Sequence, residues 1–152
     1  MIMALGGRIS IEIGVHATAA KWYNIFATQL HQVQNLTDRI HQAKLHHGQD
    51  WHHNEAIKHW TYIIDGKVNT CQESMEYDEA KKIIIFKLFG GDVAKEFKFI
   101  NLVFEASDKE NGGANIKWTV EYERLSGEVH PPYGYIEYLY KCTVDMDAHL
   151  KA

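Results

Sequence analysis

The sequence predicts an α+β domain in which one curved antiparallel sheet grips a long C-terminal helix. Three observations carry that expectation. The middle of the chain is a succession of alternating segments joined by short turn signals, as in an antiparallel meander. A helical apolar stripe follows Pro131-Pro132. Sheet and helix are each apolar on one side, so the natural packing turns both apolar faces inward. The length of 152 residues fits a single domain, 1–152, because one hydrophobic core usually organises roughly 100–200 residues.

The elements follow in order. Ile9, Ile11 and Ile13 alternate with Arg8, Ser10 and Glu12, the period of a strand with one buried face. From His16 the period lengthens. Ala19, Trp22, Ile25 or Phe26, and Gln29 or Leu30 make a helical stripe ending near Thr28, and Leu30, Val33 and Leu36 extend it as a second short helix. Asp38 to Leu45 reads as a strand, followed by a loop from His46 to Glu55. Ala56 to Asp65 and Val68 to Tyr77 are strands joined at Asp65-Gly66, a hairpin signal. Asp78-Glu79 turns the chain into Lys82 to Phe89, and Gly90-Gly91-Asp92 turns it again. Glu96 to Ala106 and Ala114 to Leu125 form a long hairpin around the polar stretch Asp108 to Gly113. The last helix begins near Tyr133, where the preceding prolines suit a first turn that needs no N–H. Tyr135, Tyr138, Leu139, Cys142 and Met146 share one side of it, opposite Glu137, Lys141 and Asp145. The sum is seven strands, two short helices and one long helix.

Composition narrows the function. Apolar residues make up 45% and charged residues 24%, ordinary for a globular protein. A net charge of −4 argues against a phosphate-backbone partner, so no nucleic acid is expected. No run of about 18 apolar residues occurs, so no membrane span is expected. Met1 to Gly7 lacks a basic head followed by an apolar run. A cytoplasmic location is the expectation, and the sequon at Asn35 then never meets the glycosylation machinery. Cys71 and Cys142 fit no metal spacing and no disulfide framework. Neither a metal nor an organic cofactor is expected.

Several segments together resemble the major latex proteins: Lys58-His59-Trp60-Thr61-Tyr62 with Asp65-Gly66-Lys67, the Leu45 to His53 loop, Phe89-Gly90-Gly91-Asp92-Val93, Ile116 to Glu123, and Asp145 to Leu150. Their collinear order covers essentially the whole chain. That group is a subfamily of the birch-pollen-allergen and class 10 pathogenesis-related superfamily. The resemblance implies a helix-grip fold: seven antiparallel strands around a long C-terminal helix, with two short helices closing one end. It also implies a large internal cavity for a small hydrophobic ligand such as a steroid, terpenoid, alkaloid precursor or lipid. A few members of the superfamily are condensing, isomerising or cyclising enzymes of plant specialised metabolism. One departure matters. The loop that resembles a phosphate loop in many relatives carries only Gly48 here, among four histidines and Trp51.

Strand parity selects the candidate site. Lys58, Trp60, Tyr62 and Ile64 lie on the face expected to point inward, as do Cys71, Glu73 and Met75, and Ile116, Trp118 and Val120. The expected ligand wall is Phe26, Trp60, Tyr62, Phe99, Trp118, Tyr135, Tyr138 and Leu139, with tyrosine hydroxyls orienting a polar edge. Lys58, as a base or amine nucleophile, and Glu73, as an acid or base, are the candidate catalytic residues. Against that role stand a Lys58 ammonium that snorkels to water and a Glu73 paired only for structure. His46 and Trp51, on the loop that rims the cavity in the family, are candidate gate residues. Adjacent histidines of a strand project to opposite sides, so solvation rather than metal binding is expected of His46, His47, His52 and His53. Ile83 to Phe89 is apolar on both parities and leaves its inner face undecided.

Overall fold

In the computed structural model the described residues are 5–47, 56–110 and 112–150. Seven strands form one antiparallel sheet: β1 (Gly6–Val15), β2 (Ile40–His47), β3 (Ile57–Ile64), β4 (Lys67–Asp78), β5 (Ile83–Phe89), β6 (Phe97–Asp108) and β7 (Ala114–Arg124). Their spatial order is β1-β7-β6-β5-β4-β3-β2. Each strand from β2 to β7 therefore pairs with its sequence neighbour, and β1 returns to β7 at the far edge. The connection from β1 to β2 must cross between the two edges, and it does so through helix α1 (Ala19–Thr28) and a 3-10 turn, Leu30–Asn35. Helix α3 (Tyr133–Leu150) supplies the long C-terminal element.

Local chemistry explains the boundaries. The Thr18 side chain accepts the Lys21 N–H, and the Asp108 carboxylate, reaching from the end of β6, accepts the Ala19 N–H. The start of α1 is thus capped both by its own chain and by the sheet. At the β3–β4 hairpin, Asp65 and Gly66 both have positive φ, 51° and 75°, which is what a two-residue type I′ turn demands.

The turn after β5 is more elaborate than its Gly-Gly-Asp sequence suggests. It carries a one-turn helix, α2 (Val93–Glu96), before β6 begins. Asp92 holds this turn against β4 by accepting the Thr70 N–H at 2.8 Å. Gly91 has φ 51°, and a Cβ there would overlap the Thr70 carbonyl. We predict that Gly91→Ala lowers stability by about 1–3 kcal/mol, read as a drop in urea midpoint without a change in m-value.

Parity decides what lines the interior. Trp60, Tyr62 and Ile64, then Cys71, Glu73 and Met75, then Ile116, Trp118 and Val120 are all buried on the concave face. The undecided strand β5 turns Ile84, Phe86 and Leu88 inward. On α3 the stripe Tyr135, Tyr138, Leu139, Cys142 and Met146 is buried against the sheet, each large apolar side chain contributing about 1.5–3 kcal/mol relative to exposure.

Polar ties hold α3 in place. Asp147 accepts the His16 and Ala17 backbone N–H groups and pairs with the His16 imidazole at 2.7 Å. Arg39, just before β2, grips Glu137 through both terminal guanidinium nitrogens, Nη1 and Nη2. Among the described residues no helix is long and apolar enough to cross a membrane.

Candidate functional site: a cavity between sheet and helix

The seam between α3 and the concave sheet is not completely filled. It holds a cavity of about 60 Å³. Seven of the eight expected wall residues meet there: Phe26, Trp60, Tyr62, Trp118, Tyr135, Tyr138 and Leu139. Rings from four elements, α1, β5, β6 and β7, cluster at its hydrophobic end. Phe26 of α1 packs edge-on against Phe86, Phe104 and Trp118, with centroids 5.4, 5.0 and 5.8 Å apart. The aromatic surface is therefore shared between wall and core, and the rings themselves take up much of the space. The large cavity expected from the resemblance is correspondingly narrow, well below the roughly 300–1,000 Å³ of a drug-sized ligand pocket.

Phe99 does not belong to this wall. It is 37% exposed, because a register shift between Phe97 and Phe99 on β6 lets Phe97 and Ile100 both face inward. The extra residue brings Phe97 inward, and Phe99 keeps the outer side with Asn101 and Val103. Its parity carried the warning: Asn101 and Glu105 share it, whereas Ile100, Leu102, Phe104 and Ala106 form the apolar set. Parity and stripe arguments also left wall residues unnamed. Leu30 and Val33 come from the 3-10 turn, Ile40 from the start of β2, and Phe86, Leu88 and Leu102 from β5 and β6. The apolar spacing of Leu30 and Val33 was visible, but not that their turn packs over the cavity.

The polar groups on the wall fall into two sets. In the first, each group has a partner. The Tyr62 and Tyr135 hydroxyls are 2.6 Å apart and hydrogen-bond each other. The Trp118 indole donates to Thr143 Oγ1 at 3.0 Å, and Thr143 donates to the Leu139 carbonyl at 2.7 Å. Burial pushes the Tyr62, Tyr135 and Tyr138 hydroxyls up, so they stay neutral. Burial likewise raises the Cys71 thiol, and pushes that of Cys142 to about 12, so neither is a reactive thiolate. We predict that Thr143→Val, which strands the Trp118 N–H, costs about 1–2 kcal/mol in chemical denaturation.

The second set is Glu73 with its neighbours. Lys58 and Glu73 are directly paired across β3 and β4, and both are buried, Lys58 at 0% exposure. The ammonium does not snorkel to water; its Nζ lies 3.3 Å from Met75 Sδ. Glu73 lines the cavity, whereas Lys58 does not. Burial pushes the Glu73 carboxyl up to about 8, which the facing Lys58 and the Trp60 indole N–H offset only in part. The indole influences the carboxyl without closing a hydrogen bond to it: Trp60 Nε1 and Glu73 Oε1 are both buried and without a hydrogen-bond partner. A buried carboxyl that is largely neutral near pH 7 can donate or accept a proton.

The gate residues of the sequence reading cannot be placed. Trp51 and the His46 side chain lie outside the described residues, as do the side chains of the other three loop histidines. Among the described residues no group of three or more His, Cys, Asp or Glu could hold a metal ion.

One sheet wrapped around one long helix, with an aromatic-walled apolar space in the seam, defines a helix-grip protein. The chain belongs to the pathogenesis-related protein Bet v 1 family, which matches residues 4–152, and within it to the major latex proteins. The family's fold is a hydrophobic-ligand-binding one. MLP-like protein 43 of Arabidopsis thaliana is 32% identical over 152 residues, covering 98% of this chain and 96% of that protein. Major latex protein 146 of Papaver somniferum is 27% identical over 155 residues, covering 99% and 95%. The crystal structure of major latex-like protein 151 from Panax ginseng matches with a TM-score of 0.89 at 28% identity, covering 96% of this chain and 98% of that one.

Proposed function

We propose that the protein binds a small hydrophobic plant metabolite, of the terpenoid, steroid, alkaloid-precursor or lipid classes, between α3 and the concave sheet. The observation that carries this reading is the unfilled apolar space walled by Phe26, Trp60, Trp118 and Tyr138. A core that only had to be stable would close such a space, since voids forfeit packing energy. At about 60 Å³ the cavity is smaller than these guests, so binding requires rings on its wall to move aside. Equilibrium titration with sterols, terpenoids, fatty acids and plant hormones tests the reading. At least one is expected to bind at low-micromolar Kd with a negative heat-capacity change, and Leu139→Trp is expected to block it. A panel with no binder below high-micromolar Kd contradicts it.

A second reading rests on Glu73. A carboxyl pushed up to about 8 beside a buried lysine is suited to proton transfer, in a site whose apolar wall would shape a reactive terpenoid or alkaloid intermediate for cyclisation or isomerisation. Product ratios of such an intermediate with and without the protein decide it. Unchanged ratios, or ratios indifferent to Lys58→Ala and Glu73→Ala, eliminate the reading.

A further inference from the structure

We propose that Trp60 and Glu73 form a polar clamp inside the cavity that selects guests carrying a hydroxyl group on an otherwise apolar body. The inference rests on the binding reading above and specifies the ligand class.

The accounting of polar groups on the wall points to this pair. The Tyr62 and Tyr135 hydroxyls satisfy each other, and Thr143 is engaged with Trp118 and Leu139. Two fully buried nitrogen and oxygen atoms of the wall side chains have no hydrogen-bond partner: the Trp60 Nε1 donor and the Glu73 Oε1 atom. Trp22 Nε1 shares that condition but does not line the cavity. Leaving a buried polar group unpaired is costly, so two of them on one cavity wall mark capacity that a guest can use.

Their placement suits one oxygen atom. Lys58 faces Glu73 and Trp60 faces Cys71 in the β3–β4 register, so Trp60 and Glu73 are diagonal neighbours on the same concave face. The indole is close enough to depress the carboxyl's pKa. A hydroxyl oxygen between them accepts the Trp60 N–H and donates its own hydrogen to Glu73. An ether can satisfy only the indole, and a hydrocarbon satisfies neither. A carboxylate guest would set a second negative charge against Glu73 whenever Glu73 is ionised. The hydroxyl is the group that serves both sides with one atom.

Calorimetric titration of the full chain with farnesol, farnesyl methyl ether and the parent hydrocarbon farnesane tests the clamp. Farnesol is expected to bind at least about tenfold more tightly than either analogue. In Trp60→Phe and in Glu73→Leu that preference is expected to fall to within about threefold through loss of farnesol affinity, and in Trp60→Phe the ether falls to the level of the hydrocarbon; a cooperative urea transition shows that each variant is folded. If a variant fails to fold, the three ligands on the unaltered protein still decide. Equal affinity for all three overturns the clamp and leaves the binding reading standing. Binding of none of the three, with no other binder in the wider panel, overturns both.

Discussion

Replacing Lys58 with methionine is expected to lower stability by about 3–5 kcal/mol at pH 9 and by much less at pH 5.5. The difference comes from Glu73, which faces Lys58 across β3 and β4. Its carboxyl has an ordinary value of 4.5 and is pushed up to about 8 in the folded protein, so the folded state holds the proton more tightly than the unfolded one. Stability from this group is therefore full below about pH 4.5 and falls as pH rises through about 8. At pH 5.5 the carboxyl is neutral, and methionine only exchanges one buried chain for another. At pH 9 the carboxyl of the unaltered protein is ionised, and without the facing ammonium it must either carry an uncompensated charge in an apolar interior or take up a proton. The double variant Lys58→Met/Glu73→Leu removes both charges and is expected to regain most of the loss at pH 9, since apolar replacement of a buried pair is often neutral or stabilising. Urea denaturation at the two pH values measures all three proteins. A Lys58→Met loss that is equal at both would mean that Glu73 is not the group responding.

Asp147→Ala is the second large effect, about 3 kcal/mol, and it acts at the far end of α3. This carboxylate is the acceptor for the His16 and Ala17 amides and for the His16 ring. Burial by itself would raise its pKa, but the His16 and Ala17 hydrogen bonds together outweigh burial and hold it below the ordinary 3.8. Truncation strands amides at the β1–α1 junction and unties the helix that closes the cavity. Because the folded pKa is depressed, the advantage over the variant is present above about pH 4 and is lost as pH falls through the folded value. Thermal unfolding at pH 7 and pH 2.5 should show a wide gap closing to a narrow one. A gap that stays constant would assign the effect to packing instead.

Both effects involve residues whose placement follows from strand and helix periods. Lys58, Trp60 and Tyr62 alternate with His59, Thr61 and Ile63, so the presence of a cation on the inner face was legible from β3 alone. The facing of Lys58 by Glu73 required the β3–β4 register, and the Asp65-Gly66 turn fixes it. Strand β5 was illegible for the opposite reason. Ile83, Ile85 and Phe89 are as apolar as Ile84, Phe86 and Leu88, so only Lys87, on the outer parity, marks the solvent face. Phe99 was misread although its parity, shared with Asn101 and Glu105, pointed outward; what the period could not show is that the bulge before it turns Phe97 inward as well. The size of the cavity was beyond periodicity altogether. It depends on how far the rings of Phe26, Phe86 and Trp118 lean across the seam, a property of side-chain packing that no spacing rule contains.

The most direct test of a guest space beneath α3 is methyl-detected NMR during titration with farnesol. Chemical shifts should move at Leu30, Val33, Leu88, Leu102 and Leu139, which come from four different elements and meet around the cavity. Exposed methyls at Val68, Leu125 and Val144 should stay in place. Shifts confined to those outer methyls, with the five interior ones unmoved at saturation, would contradict an internal binding site.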